Sequence, residues 1–361
     1  MQNYLTTPTT LQLEISSMCN ALCYGCIRTD QTNFNGKLPI IPDKKMLQLP
    51  TLKKIFEQFT TVKTLDFCGT VDDPFMHPHF NDILRLALDS EIKNIKIHTN
   101  GSIRDADYWK ETAEILNQFT THNLKFSIDG LRDTNHLYYR QRTNFDKIMK
   151  NAQAFIEAGG TAGWQYIIFP WNKHQIEEAS KLSKEMGFKT FIHRIDRVFI
   201  NKNQKGWLLE DVIRRKQENK PINLNQKFDW NDLAVRFEKD EDNTIDCHFK
   251  KEKMYFIDFN ARLWPCCFLR NTEFGGHNTH WHQVKNIMYD KYDDPTWNRL
   301  DLHSVEEILN HPFYANDLIT SFNSKYGMEC TDKLAKCAVT CSVKRQEILP
   351  IAKHKTENNN N

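Results

Sequence analysis

The sequence predicts an α/β fold built on a parallel sheet, and three observations carry that prediction. Six short apolar runs recur between residues 11 and 195, helical patterns separate them, and polar motifs follow the runs closely. Parallel neighbours need a crossover connection, and a helix usually supplies it. The pattern fits either an open doubly wound sheet or a partial barrel short of eight strands. In both, function gathers at the carboxyl ends of the strands.

The first run, LQLEIS (11–16), places Leu11, Leu13 and Ile15 at period two. The others are VKTLDFCG (62–69), IKNIKIHT (92–99), NLKFSIDG (123–130), GWQYIIF (163–169) and FKTFIHRI (188–195). Between the last three lie two helical patterns. One sets Phe145, Ile148, Met149, Ala152, Phe155 and Ile156 on a single face, with Gly159 as its stop. The other has Asn172 and Gln175 at capping-box spacing and ends at Gly187. Polar motifs stand after four of the runs: a Cys triplet, CGTVDDP, HTNGS and SIDG. Four such motifs at corresponding strand ends converge on one mouth. Residues 1–200 thus read as one core, 201–245 as a polar connector with a short helix, 246–350 as a second, Cys-rich unit, and 351–361 as a frayed tail.

Composition narrows the function classes. A formal net charge of +2 gives no ground for a polyanionic partner such as nucleic acid, and the basic stretch Arg197–Lys227 is interleaved with acids. No apolar run approaches the ~18 residues that cross a bilayer, and the first residues lack the pattern of a signal peptide. A cytoplasmic location is the expectation. There thiols stay reduced, so clustered Cys among the ten present serve metal or chemistry.

Cys19, Cys23 and Cys26 raise the sharpest question. A closed structural zinc site takes four ligands, and the next thiol, Cys68, belongs to a different run. The triplet is either structural, as zinc completed by a distant His or Cys or as inert buried thiols, or an iron–sulfur cluster with one iron left open. Spacing alone leaves the two level; placement after the first strand favours chemistry.

Cys19-x3-Cys23-x2-Cys26, followed by CGTVDDP, TNG and SIDG in that order, resembles the radical S-adenosylmethionine (SAM) superfamily across residues 11 to 195. The resemblance implies a partial (β/α)6 TIM-like barrel with a 4Fe–4S cluster on the three thiolates and SAM on its open iron. It also implies reductive cleavage of SAM to a 5′-deoxyadenosyl radical that takes hydrogen from substrate. By position, Gly69, Thr70, Asp73 and Pro74 face the SAM amino group. Ser127 and Arg140 are candidates for its carboxylate, and Asn100 for the nucleotide. Two departures stand out. Gly25 holds the place of an aromatic residue, which leaves Tyr24 as the adenine candidate, and Asp73 replaces a longer Glu.

The C-terminal cysteines are Cys247, Cys266, Cys267, Cys330, Cys337 and Cys341. On their own they suit a zinc ribbon, with MYFIDFNARLWP as its hairpin and the turn near Asn260–Ala261. The resemblance implies instead a SPASM/twitch-type α+β extension with one auxiliary 4Fe–4S cluster. Cys247 and Cys266 would be its ligands, completed by two of Cys330, Cys337 and Cys341, with Cys267 spare. Ala261 holds the place of that pattern's Gly. His277, His280 and His282 read as a polar loop.

The expected activity is oxidative modification of a peptide or protein side chain, with dehydrogenation of a sugar or alcohol as the rival. A non-catalytic zinc protein is the rival of another class. Only eighteen residues precede Cys19, so recognition of a peptide leader would fall to a separate protein. A low-potential donor such as flavodoxin or ferredoxin would supply electrons.

Overall fold

A computed structural model describes residues 7–23, 26–28, 44–132, 139–169, 172–195, 244–274, 283–324, 334–343 and 355–358. The chain divides into two compact units. The first comprises Met1–Glu14, Lys45–Asp66 and Asp229–Ile351; the second comprises Ile15–Lys44, Phe67–Phe228 and Ala352–Asn361.

In the first unit, β1 (Thr10–Leu13) lies between β3 (Thr64–Phe67) and β9 (Met254–Ile257), parallel to both. β9 turns back into β10 (Leu263–Trp264), the expected hairpin. Its turn places Ala261 at φ +59°, the left-handed region that a glycine adopts without strain. Asp258 holds this turn by accepting from the N–H groups of Asn260 (2.8 Å) and Arg262 (3.1 Å). Its other oxygen accepts from Trp264 Nε1 at 3.0 Å and lies 3.6 Å from Arg270 Nε, while Arg270 Nη2 reaches Glu14 at 3.1 Å. All three charged groups are fully buried. Burying charges is costly unless they are paired, so Arg270 joins Glu14, the residue after β1, to Asp258 of the hairpin turn. Helix α1 (Leu49–Gln58) turns Leu52, Ile55 and Phe56 into this core.

The second unit contains the repeating βα pattern. β4 (Asn94–Thr99), β5 (Thr121–Ser127), β7 (Ala162–Ile168) and β8 (Thr190–Ile195) pair in parallel in that order. Helices α2 (Phe80–Asp89), α3 (Ala106–Leu116), α4 (Phe145–Glu157) and α5 (Ile176–Glu185) alternate with them. Strand residues alternate in burial: Leu124 and Phe126 are buried, whereas Lys125 and Ser127 are half-buried. Trp109 of α3 sits against the buried face, stacked on Phe75 at 4.0 Å and 5.2 Å from Phe126. Asp105 and Asn144 cap α3 and α4 through Tyr108 N–H (3.0 Å) and Lys147 N–H (2.9 Å). The six predicted strands all form. The tail, read as frayed, adds β11 (Lys355–Asn358) antiparallel to β8; backbone pairing on an edge needs no apolar pattern.

One local expectation fails. Asn172 and Gln175 form no capping box. The Asn172 amide instead donates to Asp129 O (3.0 Å) and Ile167 O (2.9 Å), and its Oδ1 accepts from Phe169 N–H (2.7 Å). A buried loop with unpaired backbone groups offers those contacts more strongly than a solvated helix end does.

Two further strands are very short: β2 (Leu22–Cys23) and β6 (Arg140–Gln141) pair antiparallel, with Cys23 opposite Arg140. Gly101, which follows β4, has φ +72°, and a Cβ there would stand 2.6 Å from the Phe126 ring. Replacing Gly101 with Ala is therefore expected to cost about 2–4 kcal/mol, from backbone strain plus overpacking. Thermal unfolding measures it; an unchanged midpoint would contradict the close approach.

Among the described residues no helix is long and apolar enough to cross a membrane.

Candidate metal and cofactor site

The motifs after the strands meet around Asp73, which is almost fully buried. Its Oδ1 accepts from Phe75 N–H (3.2 Å) and Thr99 Oγ1 (3.0 Å). Its Oδ2 accepts from Asn100 N–H and Asn100 Nδ2, both at 2.7 Å. Its own N–H donates to Met18 O at 2.9 Å, one residue before Cys19. One carboxylate thus ties CGTVDDP to TNG and, through the backbone, to the Cys loop. Burial pushes Asp73 up to about 6, against the lowering effect of those hydrogen bonds.

Asn100 extends the network. Its Nδ2 also donates to Asn20 Oδ1 (2.8 Å) and lies 3.8 Å from Cys19 Sγ, while its Oδ1 accepts from Ser102 N–H (2.9 Å). Arg28 Nη1 donates to Cys19 O at 2.9 Å. Cys26 N–H donates to Cys23 O at 3.3 Å, closing the loop between the second and third thiols. Arg140 Nε donates to Asp129 Oδ2 at 2.6 Å, and its Nη1 lies 3.9 Å from Cys23 Sγ. Asp129, fully buried, also accepts from Ile167 N–H at 2.7 Å.

The three thiols share one electrostatic neighbourhood. Burial pushes Cys19 well up, and the charges of Asp73, Cys23 and Cys26 add to it. Cys23 is pushed up to about 12, chiefly by burial; Arg140 opposes the shift, while Cys26, Asp129 and Asp73 add to it. Clustered thiols that hold their protons so firmly ionise when a metal cation replaces the proton. Three soft donors of this kind fit an iron–sulfur cluster.

Gly69 is dictated by a close approach: a Cβ there would stand 1.7 Å from Asp72 Oδ1. Asp72 lies across this turn, with its Oδ2 accepting from Ser16 N–H at 3.1 Å. Thr70 is half-buried, Pro74 opens a short 3-10 turn to Met76, and Ser127 is half-buried at the end of β5. Tyr24 and Cys330 lie outside the described residues, as do His277, His280, His282 and the stretch Arg197–Lys227. Sequence reasoning missed Asp72, Thr99, Asn20 and Arg28. Thr99 and Asp72 carried a signal, as members of TNG and CGTVDDP.

In the first unit Cys247, Cys266, Cys337 and Cys341 form a second thiol group. Burial pushes Cys266 up, and the charges of Cys247 and Cys341 add to it. Cys337 is pushed up by burial and then by Cys266, Cys341 and Cys247. Asp246 N–H donates to Cys341 O (2.8 Å), and Ile245 bridges Ser342, which brings the two ends of the group together. Leu269 N–H donates to Cys266 Sγ at 3.4 Å. No three of these four sulfurs all lie within 4.8 Å of one another, wider than the thiolates around a single zinc, so the group suits the larger frame of an iron–sulfur cluster.

The family model of the radical SAM superfamily matches residues 13–183. No curated protein sequence matches the chain. Among solved structures, Streptococcus suis SuiB bound to its precursor peptide SuiA matches over 86% of this chain at 16% identity and TM-score 0.51; the chain spans 66% of SuiB's length. Native anSMEcpe with bound AdoMet matches over 91% of this chain and 94% of its own, at 13% identity and TM-score 0.53. The same enzyme with AdoMet and the Cp18Cys peptide matches with equal coverage and identity at TM-score 0.51. The shared fold is the partial, TIM-like barrel arrangement of parallel strands and helices.

Proposed function

Residues 13–183 are a radical SAM domain, and on that premise we propose that the chain is an enzyme that cleaves SAM reductively and oxidises a peptide or protein side chain. The observation that carries this reading is the trio Cys19, Cys23 and Cys26, held beside the Asp73–Thr99–Asn100 network. A 4Fe–4S cluster on those thiolates, with SAM on its open iron, would supply the electron that releases methionine and a 5′-deoxyadenosyl radical to take hydrogen from substrate.

The chain's own residues orient and exclude. Asp73 and Asn100 hold the Cys loop against the end of β4, so the thiols meet the metal with little reorganisation. The turn at Gly69 and Thr70 would present backbone to the SAM amino group, and Ser127 would offer a hydroxyl to its carboxylate. Phe67, Phe75 and Phe126 wall the unit against water. Cys247, Cys266, Cys337 and Cys341 would hold an auxiliary 4Fe–4S cluster with all four corners taken by protein. Such a cluster suits an electron acceptor, and hence an oxidative outcome. A peptide substrate is favoured because SuiB and anSMEcpe, which share the fold, were both solved with peptides bound.

Anaerobic purification tests the reading. The expected protein is brown, contains iron and sulfide, and converts SAM to 5′-deoxyadenosine once a low-potential donor such as flavodoxin, ferredoxin or dithionite reduces it. A colourless zinc protein without cleavage would overturn it.

A further inference from the structure

The second unit's sheet carries polar groups on its inner face that the cofactor reading leaves unused. In β5, Leu124 and Phe126 are fully buried on the helix side, where Phe126 meets Trp109. Lys125 and Ser127 therefore project from the opposite face, where both are half-buried. β7 pairs with β5 in parallel, setting Gly163 opposite Lys125 and Gln165 opposite Ser127. Gly163 has no side chain to meet the ammonium, and a Cβ there would stand 2.6 Å from Thr190 Oγ1. On the other flank, His98 of β4 stands opposite Lys125 and brings no negative charge. Among the described residues, the side chains of Lys125, Ser127 and Gln165 make no hydrogen bond or ion pair. An ammonium drawn partly out of water is costly to hold without a counter-charge, and a buried amide without a partner adds to that cost.

We propose that Lys125 and Gln165 bind a carboxylate of the substrate, carried by an acidic side chain or by a chain terminus. The inference deepens the function proposed above and rests on it. Charge selects the ligand class. One ammonium balances one unit of negative charge, whereas a phosphate carries about −1.5 to −2 and would be left partly unpaired. The donors match as well: the Lys125 ammonium bonds one carboxylate oxygen, and the Gln165 amide donates to the other. Depth sets the direction. Ser127 lies two residues nearer the carboxyl end of β5, so at ~3.3 Å per residue Lys125 sits about 7 Å further into the barrel. The acid is anchored at that depth, and the rest of the substrate extends towards the strand ends.

Isothermal titration calorimetry of the full-length, reconstituted, SAM-loaded protein tests this with blocked amino acids as probes. The α-amides of N-acetyl-glutamate and N-acetyl-aspartate carry a side-chain carboxylate, N-acetyl-alanine carries a terminal one, and N-acetyl-glutamine α-amide carries none. At least one acid should bind about 10- to 100-fold more tightly than the glutamine compound, the weight of a hydrogen bond to a charged group. Which acid binds best tells a side chain from a terminus. K125M should lose the preference, and Q165L should reduce it. The inference is overturned if no acid outbinds the glutamine compound, if the preference survives K125M, or if inorganic phosphate outbinds every acid. A K125M protein whose SAM affinity falls more than tenfold also overturns it, by assigning Lys125 to SAM. Should K125M fail to fold, reductive methylation of the wild type, read by peptide mass spectrometry, serves instead. The acid should protect Lys125, and equal labelling with and without it contradicts the inference. A wild type that cleaves SAM but fails these titrations overturns this inference alone; one that cleaves no SAM overturns the proposed function and, with it, the inference.

Discussion

Alanine at Cys19, Cys23 or Cys26 should abolish SAM cleavage, whereas alanine at Cys247 or Cys341 should leave cleavage intact and stop product formation. The asymmetry follows from the two thiol groups doing different work. The first has three donors beside a network of strand ends, and removing one leaves two, too few to hold a cubane with a vacant corner. The second has four coupled thiols. On the function proposed above, losing it would remove an electron acceptor while the first three thiols keep their cluster. Each set should lower iron content by about four atoms per chain, the stoichiometry of one 4Fe–4S cluster. Iron analysis and 5′-deoxyadenosine yield, measured on the same samples, check both halves. Full cleavage in C23A, or none in C247A with its first cluster intact, would contradict the division of labour.

The Asp73→Ala substitution should destabilise the protein by roughly 3–5 kcal/mol and remove SAM cleavage as well. Four donors converge on this carboxylate: Phe75 N–H, Thr99 Oγ1, Asn100 N–H and Asn100 Nδ2. A buried donor left unpaired costs about 1–3 kcal/mol, and the losses are not additive within one network. Burial also raises the cost of the Asp73 charge itself, which offsets part of the total and keeps the expected figure in this range. At about 2–4 °C per kcal/mol, the unfolding midpoint falls by roughly 10 °C. Asp73→Asn keeps one accepting oxygen but turns an NH₂ group towards donors, so about half that loss is expected. Calorimetry of the three anaerobic proteins measures the order wild type, D73N, D73A. Equal midpoints would show that Asp73 does not join the motifs.

These two expectations differ in how far the sequence announced them. Short apolar runs located six strands of the parallel sheet. In some, one face is buried and the other is not, as Leu124 to Ser127 illustrate. β7 is buried nearly throughout, and β9, parallel to β1, was read only as half of a hairpin. The Cys spacing and the order of polar motifs located the site, since strand ends are the places where backbone can be irregular without breaking the sheet. What the side chains do there was less legible. Asp73 was expected to face SAM, and nothing in its motif announced that its carboxylate also accepts from Thr99 and Asn100, residues some 26 positions on. Such pairings depend on strand register, which no local pattern reports. Asn172 misled for the same reason: its spacing suits a helix cap, and a non-local partner, Asp129 O, outcompetes the cap. The second thiol group was readable as a set of cysteines. The structure brings Cys337 and Cys341 to Cys266 and Cys247 because both lie on one helix, Ala335–Cys341, four residues apart and hence on one face.

The central claim is that the three thiolates leave one iron available to SAM. Pulsed electron–nuclear double resonance of the reduced protein, with SAM carrying ¹⁵N in its amino group, measures this directly. A resolved ¹⁵N coupling to the N-terminal cluster is the predicted result. A cluster with four protein ligands and no ¹⁵N coupling, or zinc in its place, would contradict it.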